Sequence, residues 1–303
     1  MAHTTQDLSR WALLSIAAAA VTIALKMTAW LVTGSVGLLS DAAESVVNLV
    51  AAVVAFIALK VAARPADANH NFGHQKSEYF SAIIEGTCIA IAAVVIIVSA
   101  AERLMNPKDI ESAGIGLLIS VVAALINGAA AWALIRAGRR HRSVTLEADG
   151  KHLATDVWTT AGILVAIALV AITGWNILDP IVAIAVAVNI LFVGGGLVGR
   201  AAAGLMDSAL PDEQRAAIDA VLDEFGTPEV TFHDVRTRES GHVRFVQMHM
   251  LVPGDWTVQR AHDLAEQVEA RLEAVVDDLI PTIHVEPIGD PRAYEQWRLE
   301  ENI

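Results

Sequence analysis

One cysteine in 303 residues, Cys88, leaves no disulfide to form within the chain and no thiolate cluster for a soft metal. Set in an apolar run, it reads as a small core residue. Charge is scarce too: 18% of residues are Asp, Glu, Lys or Arg, against about 25% in soluble domains. A soluble helical bundle would not need such long stretches free of charge. Ahead of the first apolar run, MAHTTQDLSRW has neither a basic leader region nor a small-residue cleavage site, so that run is expected to stay as a membrane span. No Glu follows His70 in the spacing HExxH, and no nucleophile accompanies a hydrolase motif; an enzyme is not expected.

What is present is apolar length. Hydrophobic residues make up 54% of the chain. Six runs, near 11–33, 38–62, 79–104, 112–137, 146–172 and 177–204, each reach the roughly 20 residues that cross a bilayer core. Basic residues fall on one side: Lys60, Arg64 and Lys76 between spans 2 and 3, then Arg136, Arg139, Arg140 and Arg142 between spans 4 and 5. The opposite connections hold only Lys108. Both termini are therefore expected in the cytoplasm of a multi-pass protein.

Net charge breaks where the last span ends. Residues 1–206 hold 13 basic and 13 acidic residues, while 207–303 hold 8 and 21, which is the whole net charge of −13. An acidic soluble domain is expected after residue 207, and its sign argues against nucleic acid as a partner. Pro211-Asp-Glu-Gln opens a helix to Phe225, and Glu229–Thr237 and His242–Val252 read as strands joined at Glu239-Ser-Gly241. Val258–Val276 reads as a helix and Ile280–Pro287 as a strand. The order αββαβ is a small α+β domain, giving a division into 1–207, 208–290 and a patternless tail at 291–303.

Two polar stripes interrupt the apolar runs. Asp41, Glu44, Ser45 and Asn48 share one face of span 2, and His152 and Asp156 share one face of span 5. A carboxylate in the hydrocarbon core persists where it is paired or lines a pathway. At 1.5 Å per residue, Glu44 and Asn48 lie roughly 9–15 Å deep and His152 and Asp156 about 10–17 Å from the other surface, so the four meet near the middle. Asp41 lies shallower and reads as a vestibule or capping residue. Glu, Asn, His and Asp together suit a divalent ion of borderline hardness: zinc, iron, cobalt, nickel or manganese. Emptied of metal, the carboxylates or His152 must take up protons, a physical basis for exchanging metal against H⁺.

Two further groups carry ligand chemistry. Asp67, His70 and His74 are closely spaced between spans 2 and 3, and His233, His249, His262, His284 and Glu286 are spread over the tail. His284 and Glu286 are two apart and share a strand face.

The stretches TGSVGLLSDAAESVVNL, RPADANHNFGHQKSEYF, ADGKHLATD, GLMDSALPDE and HDVRTRESGHVRF together resemble a bacterial cation diffusion facilitator, a divalent metal/proton antiporter, over about residues 8–290. The resemblance implies a six-span homodimer in the inner (plasma) membrane, with a ferredoxin-like cytoplasmic domain, exporting divalent metal by alternating access. It places a transport site on Glu44, Asn48, His152 and Asp156, a loop site on Asp67, His70 and His74, and a binuclear cytoplasmic site on His233, His249, His262, His284 and Glu286. It also implies an interlock of Lys76 with Asp207 at the dimer contact. Familiar zinc members carry Asp pairs or His and Asp where this chain has Glu44 and Asn48, and Asp where it has Glu286; His152 still favours zinc over manganese. Bound metal and protons are the expected partners, with no prosthetic group. A non-transporting membrane metal sensor is the alternative from another class, and it would leave the carboxylates of spans 2 and 5 dispensable.

Overall fold

The computed structural model describes residues 7–33, 36–105, 114–175 and 177–294; some helical positions, Asp41 and Glu44 among them, are described by backbone alone. Six long helices come first: α1 (Ser9–Thr33), α2 (Val36–Ala62), α3 (Ser77–Met105), α4 (Gly114–His141), α5 (Val144–Thr173) and α6 (Leu178–Leu205). Over the described residues, Ser9–Thr28, Ser77–Met105, Val121–His141 and Pro180–Leu205 are long and apolar enough to cross a bilayer. The other two helices, α2 and α5, carry the polar stripes.

Alanine is frequent among the buried residues of this helical unit, beside larger ones such as Leu134 and Ile190, while many large apolar side chains face out. Ala12, Ala52, Ala55, Ala82, Ala93, Ala148 and Ala187 are buried, while Leu31, Val98, Leu125 and Phe192 are exposed. That inversion of a soluble core is what a lipid-facing bundle requires, since close backbone approach rather than water exclusion holds membrane helices together. Helix α5 is central to it. Leu146 and Leu153 pack with α1, α2 and α4, and Ala148 packs with α3 and α6.

The connection between α4 and α5 differs from the sequence expectation of a basic loop over Arg136–Arg142. Helix α4 runs on through Arg139 and Arg140 to His141, leaving only Arg142 (φ 54°) and Ser143 before α5. Gly138 allows this, because a Cβ there would lie 2.7 Å from the Glu147 backbone nitrogen. Ser143 caps α5 by accepting from the Leu146 N–H at 3.3 Å, and its own hydroxyl donates to the buried Glu78 on α3.

A second compact unit begins at Met206. It comprises α7 (Asp212–Phe225), β1 (Thr231–Ser240), β2 (Val243–Val252), α8 (Val258–Val275) and β3 (Leu279–Pro287), the expected order αββαβ. The hairpin turns at Gly241-His242, slightly later than the sequence suggests, with Gly241 supplying the positive φ of 60° that a two-residue loop needs. Strand β2 is central, antiparallel to β1 and parallel to β3. Val246 and Met248 pack with Ile218 and Leu222 of α7 and Val268 and Leu272 of α8, so both helices cover one sheet face. Period-2 alternation then puts His249 on the opposite face. Beyond the sheet, Pro291–Tyr294 form a short 3₁₀ turn at the head of the expected tail.

Candidate metal sites

Inside the helical unit, α2, α4 and α5 bring three polar side chains to Asp156 and its neighbour. Asn48 Nδ2 donates to Asp156 Oδ2 at 2.6 Å, and Asn127 Nδ2 on α4 donates to the same oxygen at 2.7 Å. His152 Nε2 lies 2.7 Å from Asn48 Oδ1. With its amide nitrogen given to Asp156, Asn48 offers only an acceptor to the imidazole, so Nε2–H is the donor in this arrangement. His152 Nδ1 and Asn127 Oδ1 are both buried with no hydrogen-bond partner among the described residues. Asn48, Asn127 and His152 are buried, and Ser45 is buried one turn from Asn48. Glu44 lies on α2, one turn before Asn48; its side chain, like that of Asp41, lies outside the described residues.

The loop group is drawn together by a local turn. Asp67 Oδ1 accepts from the backbone N–H of Asn69 and of His70, each at 2.8 Å, and these two donors hold its carboxyl below the usual carboxylate range. His70 Nδ1 lies 3.4 Å and His74 Nε2 3.3 Å from that carboxylate, and the two rings are 4.4 Å apart at their centroids. One ligand atom from each of the three residues fits within 4.8 Å. Gly73, at φ 88°, turns the chain so that His74 comes back onto Asp67.

On the helix-free face of the sheet, strand register sets three imidazoles in one line. His233 pairs with His249 across β1 and β2, and His249 pairs with His284 across β2 and β3. Adjacent ring centroids are 5.1 Å apart in both cases. Glu286 faces all three: Oε2 lies 3.3 Å from His233 Nε2 and 3.1 Å from His249 Nδ1, and Oε1 lies 3.5 Å from His284 Nε2. A bulge after His233 sets Asp234 at φ 50° and brings its Oδ2 to 3.9 Å from His249 Nε2. Tyr294 of the 3₁₀ turn lays its ring 6.0 Å from that of His233. His262 is not in this group. It stands on α8, 61% exposed, 3.7 Å from Glu266.

Comparison with known proteins covers both units. Residues 12–206 match the cation efflux transmembrane domain and residues 210–288 match the cytoplasmic domain of cation efflux proteins. The chain belongs to the cation diffusion facilitator family. An uncharacterized transporter of Synechocystis is 46% identical over 94% of this chain and 92% of its own length. Cation-efflux pumps named FieF are 32% identical in Shewanella oneidensis, over 90% of this chain and 92% of the relative, and 33% identical in Serratia proteamaculans, over 95% and 96%. Among solved structures, the metal-bound C-terminal domain of the CzcD transporter from Thermotoga maritima is 36% identical over 26% of this chain and 92% of that one, at TM-score 0.24.

Membership makes the chain a cation efflux transporter and not an enzyme. Three side chains at these groups were not singled out from the sequence: Asn127, Asp234 and Tyr294. Asn127 is an amide within the apolar run LINGAA, a polar group in a span and therefore open to the same question as Asn48. Asp234 had the adjacent His233 as its signal, but two neighbours on a regular strand point to opposite faces, and only the bulge overrides that. Tyr294 had none.

Proposed function

We propose that this transporter exports a divalent transition metal, zinc before iron, manganese, cobalt, nickel or cadmium, in exchange for protons, as a homodimer in the inner membrane with both termini cytoplasmic. The linked set of Asn48, His152 and Asp156 carries the proposal. It joins α2 to α5 inside the helical unit, and its amide oxygen, imidazole and carboxylate are ligand types for an ion of borderline hardness. Glu44 supplies the second carboxylate, so that two negative charges offset a 2+ cargo. Asn48 links His152 and Asp156, its nitrogen donating to Asp156 and its oxygen facing the imidazole Nε2. Protons that neutralise Glu44, Asp156 or the imidazole in the absence of cargo are displaced when the cation takes up the same lone pairs. Asp67, His70 and His74 form a loop site that receives metal on the cytoplasmic side. His233, His249, His284 and Glu286 form a regulatory site in the C-terminal domain, and Lys76 and Asp207 serve the dimer contact.

Proteoliposomes loaded with a pH dye and offered Zn²⁺, Fe²⁺, Mn²⁺, Co²⁺, Ni²⁺ and Cd²⁺ in turn test this. Zinc is expected to give the largest metal-dependent proton flux, and Asp156→Ala to abolish it. Undiminished flux in that variant would remove the transport site from these residues, and wild-type uptake without proton movement would remove the exchange.

A further inference from the structure

Asp234 stands at an irregular place in the sheet. Strands β1 and β2 pair His233 with His249 and then Arg236 with Gln247, so three steps along β1 match two along β2. The extra residue makes a bulge, and Asp234 takes φ 50° within it. Left-handed backbone is uncommon outside glycine and is best tolerated by Asn and Asp; an outlier of this kind is a reason to look for function. On a regular strand Asp234 would point away from the face that carries His233. The bulge turns it to the imidazole row, where its Oδ2 lies 3.9 Å from His249 Nε2. Its other oxygen is engaged, because Arg236 Nε donates to Asp234 Oδ1 at 2.8 Å.

The two nitrogens of His249 therefore face different carboxylates. Nδ1 lies 3.1 Å from Glu286 Oε2, the oxygen that also approaches His233 Nε2 at 3.3 Å. That Nδ1 is buried and makes no hydrogen bond among the described residues, a state that suits a lone pair turned to a cation. Ligand atoms of His233, His249 and Glu286 gather within 4.8 Å of one another, and Asp234 stands outside that group. A neutral imidazole has one lone pair, so Nδ1 can hold metal only when the ring proton is on Nε2. The Asp234 carboxylate faces that second nitrogen, about one ångström beyond hydrogen-bond length. We propose that Asp234 is a positioning residue of the sheet metal site, favouring the Nε2–H tautomer of His249 and so presenting Nδ1 to the ion alongside His233 and Glu286. A carboxylate behind a ligating imidazole fixes the ring and strengthens it as a ligand. Arg236 completes the chain by holding Oδ1, which leaves Oδ2 aimed at His249. The role rests on the reading of this group as a metal site.

Zinc titrations of the purified full-length chain, read as the rise in Tm of the C-terminal transition, test this with Asp234→Asn. The substitution suits left-handed backbone, so the metal-free Tm is expected to match the wild type. The new amide oxygen answers the Arg236 donor and the NH₂ turns to His249 Nε2, which selects the tautomer with Nδ1 protonated. Zinc affinity is therefore expected to fall about 10–100-fold. Adding Arg236→Ala lets the amide rotate and is expected to restore part of the loss, whereas Arg236→Ala alone binds zinc no more tightly than the wild type. Equal gains in both backgrounds would trace to the lost arginine charge and overturn the role. A fall in the metal-free Tm that accounts for the whole loss would also overturn it, by making Asp234 a residue of the bulge alone. A wild type with no zinc-induced rise defeats the metal-site reading and the role with it; a wild-type rise that Asp234→Asn leaves unchanged defeats the role alone.

Discussion

Asn127 gives Asp156 a second amide donor on the oxygen that already accepts from Asn48. Two charge-assisted hydrogen bonds fix the carboxylate's direction, and at the proposed transport site that is the service which partners of a ligand perform. Asn127→Leu keeps the volume of the side chain and removes the donor. It is expected to weaken the apparent metal affinity of uptake by about 10–100-fold while leaving the maximal rate less affected, as read from the zinc dependence of initial rates in proteoliposomes. Affinity equal to the wild type would make Asn127 a packing residue only. Asn48, His152 and Asp156 stood out in the sequence because they repeat at helical spacing against an apolar background. Asn127 did not, since a lone neutral amide without a partner three or four residues away looks like any helix–helix hydrogen bond, and the oxygen it shares with Asn48 belongs to another helix.

Between elements, the approach of α3 to α6 is set by two glycines. A Cβ on Gly194 would lie 2.8 Å from the Gly86 carbonyl oxygen and 3.0 Å from the Ala90 nitrogen, and a Cβ on Gly86 would lie 2.9 Å from the Gly194 oxygen. These obstacles are backbone, which cannot rotate aside, so the helices must separate if either residue grows. Gly194→Val is therefore expected to cost about 1–3 kcal/mol, seen as a lower Tm of the detergent-purified chain. The same change at Gly195 or Gly199, where a Cβ meets nothing within 4 Å, is expected to leave Tm near the wild type; equal losses at all three positions would trace the effect to helix propensity instead. Hydropathy located the helices to within a few residues because apolar length is a property of sequence alone. Where they end was less legible. Span 4 was expected to end near residue 137, yet Gly138 serves the close approach of Glu147 and α4 continues past it to His141. The bulge at Asp234 has the same character: its cause is the pairing of β1 with β2, which no single segment encodes.

At the scale of the whole molecule, the break in charge at residue 207 separates two units of different build, one with many large apolar side chains facing outward and one folded around an ordinary apolar core. Spacing along β3 showed that His284 and Glu286 share a face, but it could not show that His233 and His249 stand beside them, because register is a relation between strands. The line of three imidazoles around one carboxylate has a thermodynamic consequence. Anything that binds this arrangement and not the unfolded chain stabilises the fold, by about 2.7 kcal/mol at a free concentration a hundred times Kd. Zinc is therefore expected to raise the Tm of the C-terminal transition in the full-length chain, and a chelator to reverse the rise. His249→Ala removes the central ring and one of the contacts to Glu286, and it should abolish most of this gain. His262→Ala should leave it intact, since His262 faces Glu266 on α8 and not the sheet row. Lowering the pH should diminish the gain, because protons compete with metal for the same imidazole and carboxylate atoms. A zinc-induced rise that survives His249→Ala and disappears in His262→Ala would move the site from the sheet face to the helix.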